Sequence, residues 1–180
     1  MALKNTASGY GLVSRLFHWI MAAAIFVVFG LGLWMVRLDY QSPYYKLAPD
    51  IHRSVGMLLL GALAARYLWR IANVTPDDSE LTAFESRASH AVHIAFYPLL
   101  AALMVSGYLI SSANGSPVSV FDWFDVPAVT KQQGLEDQAG FVHRWLAYGT
   151  IALALVHTIA ALKHHFIEKS RVLTRMWSGS

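Results

Sequence analysis

Four long stretches of this chain are almost free of formal charge, and they decide what it can fold into. Leu16 to Val36 contains no Asp, Glu, Lys or Arg, and Ser54 to Ile71 is apolar apart from Arg66 and Arg70 near its end. Ala88 to Ala113 and Trp145 to Leu162 are again uncharged. Each reaches the roughly 20 residues a helix needs to cross a hydrocarbon core about 30 Å thick. Inside such a core every backbone N–H and C=O must be satisfied within the segment, so runs of this length fold as helices. The expected fold class is an all-α membrane protein, a four-transmembrane-helix bundle with spans at about 14–38, 51–71, 87–111 and 140–166. A soluble bundle of buried helices would have to hide 56% hydrophobic residues at a mean hydropathy of +0.42, far more apolar surface than a water-facing shell tolerates.

No linker divides the chain, so residues 1–180 are read as a single transmembrane domain. The first span holds His18 and Trp34 and is followed by no small-residue cleavage site, so it is expected to be retained rather than removed as a signal peptide. The loop Asp39 to Asp50 carries Pro43, Tyr44, Tyr45 and Pro49, with tyrosines suited to an interfacial belt. Thr75-Pro76-Asp77-Asp78 reads as a breaker with helix-capping side chains, and Pro98 should kink the third span. The run Val120-Phe121-Asp122-Trp123-Phe124 in the longest loop reads as a short amphipathic piece on the membrane surface, and a basic tail follows the last span.

Charge orients the bundle. Nine of the fourteen Lys and Arg residues fall on the side that holds both termini and the 72–87 loop, which places both termini in the cytoplasm. The net charge of +3 therefore reflects membrane topology, and no nucleic-acid partner is expected. The absence of cysteine excludes disulfides, iron–sulfur ligation and covalent haem attachment, so any haem is non-covalent and b-type.

Four histidines carry the chemistry: His18, His52, His143 and His157. His143 and His157 lie fourteen residues apart on one helix, which separates them by only about 40° around the axis but roughly 21 Å along it. With spans alternating in direction, His18 shares the inner level with His157, and His52 shares the outer level with His143. Ionisable side chains within a membrane normally mark function, and each pair bridges two helices at one depth, as bis-imidazole ligation of a haem iron requires. Two stacked haem b sites follow, with the same four histidines as iron ligands. Buried hydrogen-bonded histidines are the plain alternative. A carrier of zinc, copper or nickel is the sharper one, but the spans provide no acidic or sulfhydryl partner to complete such a site.

Leu16-Phe17-His18-Trp19, Ile51-His52-Arg53-Ser54-Val55-Gly56, His90-Ala91-Val92-His93, His143, His157, Lys163-His164-His165-Phe166 and Val172-Leu173-Thr174-Arg175-Met176 together resemble the bacterial cytochrome b561 family, dihaem four-helix proteins of the inner membrane. The resemblance runs from about Tyr10 to Met176 and implies the axial pairing already reached from depth. It further implies a ubiquinone site near the cytoplasmic haem, at positions matching His90, His93 and His164; solvated boundary histidines would look the same. Arg15 and Arg66 are candidates for the propionates of the inner haem, and Arg53 and Arg144 for those of the outer one. Snorkelling toward the headgroups explains these arginines equally well. Gly56 either lets the macrocycle approach the backbone or packs helix on helix.

Two functional readings follow. In the first, the chain is an oxidoreductase that carries electrons from a periplasmic-side donor to quinone, superoxide being the donor the resemblance implies. The outer side, however, carries Asp39, Asp50, Asp122, Asp125, Glu136 and Asp137 against five basic residues, a poor funnel for an anion unless Arg53, Lys131 and Arg144 converge. In the second, the chain is the haem b anchor subunit of a larger respiratory complex such as a hydrogenase or formate dehydrogenase, docking a periplasmic redox partner through the aromatic loop around Trp123.

Overall fold

The computed structural model describes residues 2–179. Four long helices dominate it: α1 (Leu12–Met35), α2 (Leu47–Ile71), α3 (Ala83–Ser112) and α4 (Leu135–Phe166). A two-stranded hairpin, β1 (Val118–Val120) and β2 (Phe124–Val126), lies between α3 and α4, and a short α5 (Val172–Trp177) follows α4. The four helices are long and apolar enough to cross a membrane, yet only 6–17% of their apolar windows is buried within the protein. Ile20, Val27, Leu68, Ile94, Trp145 and Ile159 all stand exposed on their outer faces. Such surface is stable only against hydrocarbon, so the chain is a multi-pass membrane protein.

Spans two, three and four begin four or five residues earlier than charge alone suggested. At α3 the reason is a capping box: Thr82 Oγ1 accepts from the Glu85 N–H (3.3 Å) and Glu85 Oε2 accepts from the Thr82 N–H (3.1 Å), which satisfies two helix-end donors reciprocally. Asp77 and Asp78, expected as caps, instead bind Ser79 and Ser86. At α2 the helix starts before Pro49, because proline in a first turn forfeits no intrahelical bond. Residues 83–112 remain one helix through Pro98.

α1 packs closely on α2, α2 on α3, and α3 on α4. Met21, Leu59, Leu63, Leu100 and Met104 form the buried centre, with Phe17, Val28, Val55 and Phe96 around it. α4 meets α1 and α2 through side chains rather than close backbone approach: Phe29 and Tyr148 stack edge-on at 6.0 Å. The histidine pairs lie at these wider crossings.

The Val120–Phe124 run is not an amphipathic surface piece. It turns a hairpin in which Val118 pairs with Val126, Ser119 with Asp125 and Val120 with Phe124. Phe121 and Asp122 both take positive φ (51° and 57°), the geometry of a tight hairpin turn. Val118 and Val120 are buried and the Phe121 N–H donates to Ser54 Oγ at 3.0 Å. This contact pins the hairpin over the start of α2. The alternation Val-Ser-Val and Phe-Asp-Val was the strand signal in the sequence.

The basic tail is likewise ordered, and it folds back under the end of the bundle that carries both termini. Glu80, in the α2–α3 loop, accepts from the Arg171 N–H (2.7 Å), Arg171 Nε (2.9 Å) and Arg175 Nη2 (2.9 Å). The Arg171 backbone N–H, followed by its side chain, holds the Glu80 carboxyl below its usual 4.5. A depressed folded-state pKa contributes docking that is complete above the unfolded value and is lost as pH falls through the folded one. The tail is expected to stay docked between about pH 5 and pH 8 and to release on further acidification. A spin label on a cysteine introduced at Ser178 would report this as faster motion; release within the neutral range would contradict it.

Candidate functional site

The structure brings together the two histidine pairs that helix depth predicts. At the end carrying the termini, the His18 and His157 ring centroids are 6.2 Å apart, inclined at 64°. At the hairpin end, His52 and His143 are 6.1 Å apart, inclined at 71°. All four are half-buried. A metal bonded to an imidazole nitrogen at about 2 Å on each side sets the two ring centroids about 6 Å apart. Both pairs therefore have the spacing of rings that face each other across one metal atom.

The hydrogen bonds of His143 support that reading. His143 Nδ1 lies 2.9 Å from the Leu103 carbonyl and 3.2 Å from Ser106 Oγ, whose own proton goes to the same carbonyl at 2.7 Å. Both neighbours accept, so Nδ1 carries the proton and Nε2 keeps a free lone pair, the tautomer a metal ligand needs. His52 Nδ1 is buried without a hydrogen-bond partner among the described residues. At the other end, Arg66 Nη2 is 3.4 Å from His18 Nδ1. Arginine only donates, so His18 Nδ1 accepts there and the ring proton lies on Nε2; Arg66 must move off Nδ1 before His18 can present Nε2 to a metal.

Between the two levels sits a residue the sequence reading missed. Thr150 lies seven residues from both His143 and His157 on α4, buried, and its Oγ1 has no partner among the described residues. The equal spacing to two histidines was the available signal. Gly32 and Gly107, which abut the His52 and His143 rings, were missed as well. Gly56, singled out from sequence, has nothing within 4 Å of where a Cβ would stand, so it is not a helix-packing glycine.

The remaining candidates scatter. His93 turns inward, its ring 5.2 Å from His157. His90 is exposed, with Nδ1 3.0 Å from the Ser86 carbonyl and 3.7 Å from Asp78. His164 is buried against Glu168. Three residues apart on one helix, His90 and His93 nonetheless face different surroundings. Glu85, His164 and Glu168 do bring ligand atoms within 4.8 Å of one another. Lys163 stands among them, 2.8 Å from Glu85 and also paired to Glu168, so this is an ion-pair network. Lys163, and after it His164, hold the Glu168 carboxyl below its ordinary range.

Among the arginines, Arg66 reaches the His18 level, whereas Arg15 binds the Trp177 carbonyl of the tail. Arg53 pairs with Asp50, and Arg144 is exposed. Lys131 lays its side chain over Gly115. Of the three cations whose convergence would make an anion funnel, Arg53 is thus paired with Asp50.

A family model described as prokaryotic cytochrome b561 matches residues 9–179. The chain belongs to that family. Cytochrome b561 homolog 2 of Escherichia coli (strain K12) is 45% identical over 184 residues, covering 100% of this chain and 97% of the relative. Cytochrome b561 homolog 1 of the same organism is 25% identical, covering 88% of this chain and 91% of its own length. A probable superoxide oxidase CybB of Yersinia pestis is 26% identical, covering 88% and 90%. Membership of the cytochrome b561 family implies haem b and membrane electron transfer. The donor set fits that group: imidazoles at metal-bridging distance, one with a fixed Nδ1–H tautomer, in a chain without a thiol ligand.

Proposed function

We propose that this chain is a dihaem b cytochrome of the bacterial inner membrane, with both termini cytoplasmic, that transfers electrons from a donor at the hairpin end to membrane quinone at the end carrying the termini. His52 and His143 hold the outer haem, and His18 and His157 the inner one. The observation that carries this reading is the equal ring separation, 6.1 and 6.2 Å, at two levels of one bundle. Haem b supplies reversible one-electron chemistry in such a setting. The protein's own part is to fix the imidazoles, exclude lipid and water, and set the charge around each pair.

Around the inner pair, Arg66 places a positive charge beside His18, which suits a propionate and favours the reduced, less positive metal. His93, against His157, is the histidine best placed to hydrogen-bond a quinone carbonyl there. His164 with Glu168, and His90 with Asp78, line the nearby aqueous end and suit proton exchange with solvent. Superoxide is the donor suggested by the similarity to CybB. The Arg53–Asp50 ion pair and the acidic outer loops weaken its steering.

A second reading, an anchor subunit for an outer redox protein, draws on the hairpin, where Trp123 is 73% and Phe124 51% exposed. One experiment separates the two. The detergent-purified full chain should bind two haems per polypeptide, show a reduced b-type spectrum, and reduce a soluble quinone analogue when given generated superoxide. A single haem would overturn the dihaem reading. Quinone reduction that requires a co-purifying soluble protein would favour the subunit.

A further inference from the structure

We propose that Gly32 and Gly107 are positioning residues for the outer pair, each leaving out the one atom that would stand between an imidazole and the helix behind it. This rests on the outer haem proposed above. A Cβ at Gly107 would lie 3.0 Å from His143 Cε1 and 3.2 Å from its Nδ1, and a Cβ at Gly32 would lie 3.1 Å from His52 Cε1 and 3.5 Å from its Nδ1. The other glycines within the helices (Gly30, Gly56, Gly61, Gly140 and Gly149) would meet nothing within 4 Å.

Both outer imidazoles are backed by a glycine, and at His143 the hydrogen bonding explains why. Gly107 follows Leu103 by four residues on α3, and the Leu103 carbonyl accepts from His143 Nδ1 at 2.9 Å. Gly32 stands behind the His52 ring on α1, whose Nδ1 is buried without a hydrogen-bond partner among the described residues. A carbonyl points along its helix toward the residue four places on. The side chain at that residue therefore decides whether an imidazole can come down onto the carbonyl. At Gly107 glycine lets the ring approach, and the Leu103 carbonyl fixes the Nδ1–H tautomer of His143. His143 cannot yield to an added methyl without leaving Leu103 or turning Nε2 away from His52. No glycine in the helices meets His18 or His157, so the device belongs to the outer pair alone.

The test uses the haem-loaded full chain, comparing Gly107→Ala and Gly32→Ala with Gly30→Ala and Gly149→Ala. Alanine favours a helix over glycine by about 1 kcal/mol, so helix propensity cannot explain a loss. Gly107→Ala should lower haem content from two per chain toward one, or shift the low-spin resonance and midpoint potential of one haem only, and Gly32→Ala should do likewise. Both control variants should keep two unshifted haems. Two unmoved haems in Gly107→Ala and Gly32→Ala would overturn the proposal.

A double-mutant cycle covers general misfolding. Gly107→Ala should reduce thermal stability in the wild-type background but not in His143→Ala, where no ring remains to be crowded. An equal loss in both backgrounds would show that the glycine packs against something else and would also overturn it. A wild-type chain lacking the outer haem would instead defeat the functional reading itself.

Discussion

A His143→Ala chain is expected to purify with one haem and the wild type with two, and His157→Ala should also keep one by losing the other. The two residues share α4 and are separated by roughly 21 Å of helix rise, too far for either imidazole to serve the opposite level. Each loss should therefore be confined to its own pair, so the spectra of the two variants should sum to that of the wild type. The decisive comparison is at the inner level, where His157 has two histidine neighbours. His18 stands at 6.2 Å and His93 at 5.2 Å. Two rings across one metal need about 6 Å between centroids, a condition the His18 pair meets and the His93 pair does not. His93→Ala should keep both haems and impair quinone reduction, whereas His18→Ala should lose the inner haem. Retention of both haems in His18→Ala together with loss in His93→Ala would reassign the inner ligand to α3.

The second large effect concerns the tail. Arg175 is 6% exposed, donates to the Asp77 carbonyl and reaches Glu80 at 2.9 Å. Arg15 binds the Trp177 carbonyl, and Trp19, next to His18, donates Nε1–H to the Met176 carbonyl at 3.0 Å while its ring meets Trp177 edge-on at 5.3 Å. The tail thus braces the turn of α1 that presents His18. Hydrogen bonds to charged groups contribute about 1.5–3 kcal/mol each, so Arg175→Ala should raise opening of α5 by on the order of tenfold or more. Amide exchange over 172–177 should accelerate while the interiors of α2 and α3 stay protected. The His18–His157 haem should shift in potential more than the outer one. Unchanged exchange over α5 would show that the aromatic contacts alone hold the tail.

Much of this architecture is legible in the linear chain because its governing rules are local. The apolar runs announce four spans since lipid leaves the backbone no partner but itself. The pairing of His52 with His143 and of His18 with His157 follows from rise per residue and alternating direction, both independent of how the helices are turned. The hairpin was misread because its aromatic content outweighed a short period-two pattern, and because Val118 and Val120 find a place to be buried only against distant segments, α2 and α3.

What a side chain does once it reaches its level is another matter. Helix rotation sends His93 toward His157 and His90 toward Asp78. The return of the tail takes Arg15 away from any site between the helices. The approach of α1 and α3 puts a glycine behind each outer imidazole. The amino-acid sequence by itself determined the spans, the imidazole levels and the absence of any thiol ligand, since hydropathy and helical rise are read one segment at a time. Tertiary structure alone decided the tautomer of His143, the neighbours of Arg66 and the docking of the tail, since each depends on contacts between residues dozens of positions apart.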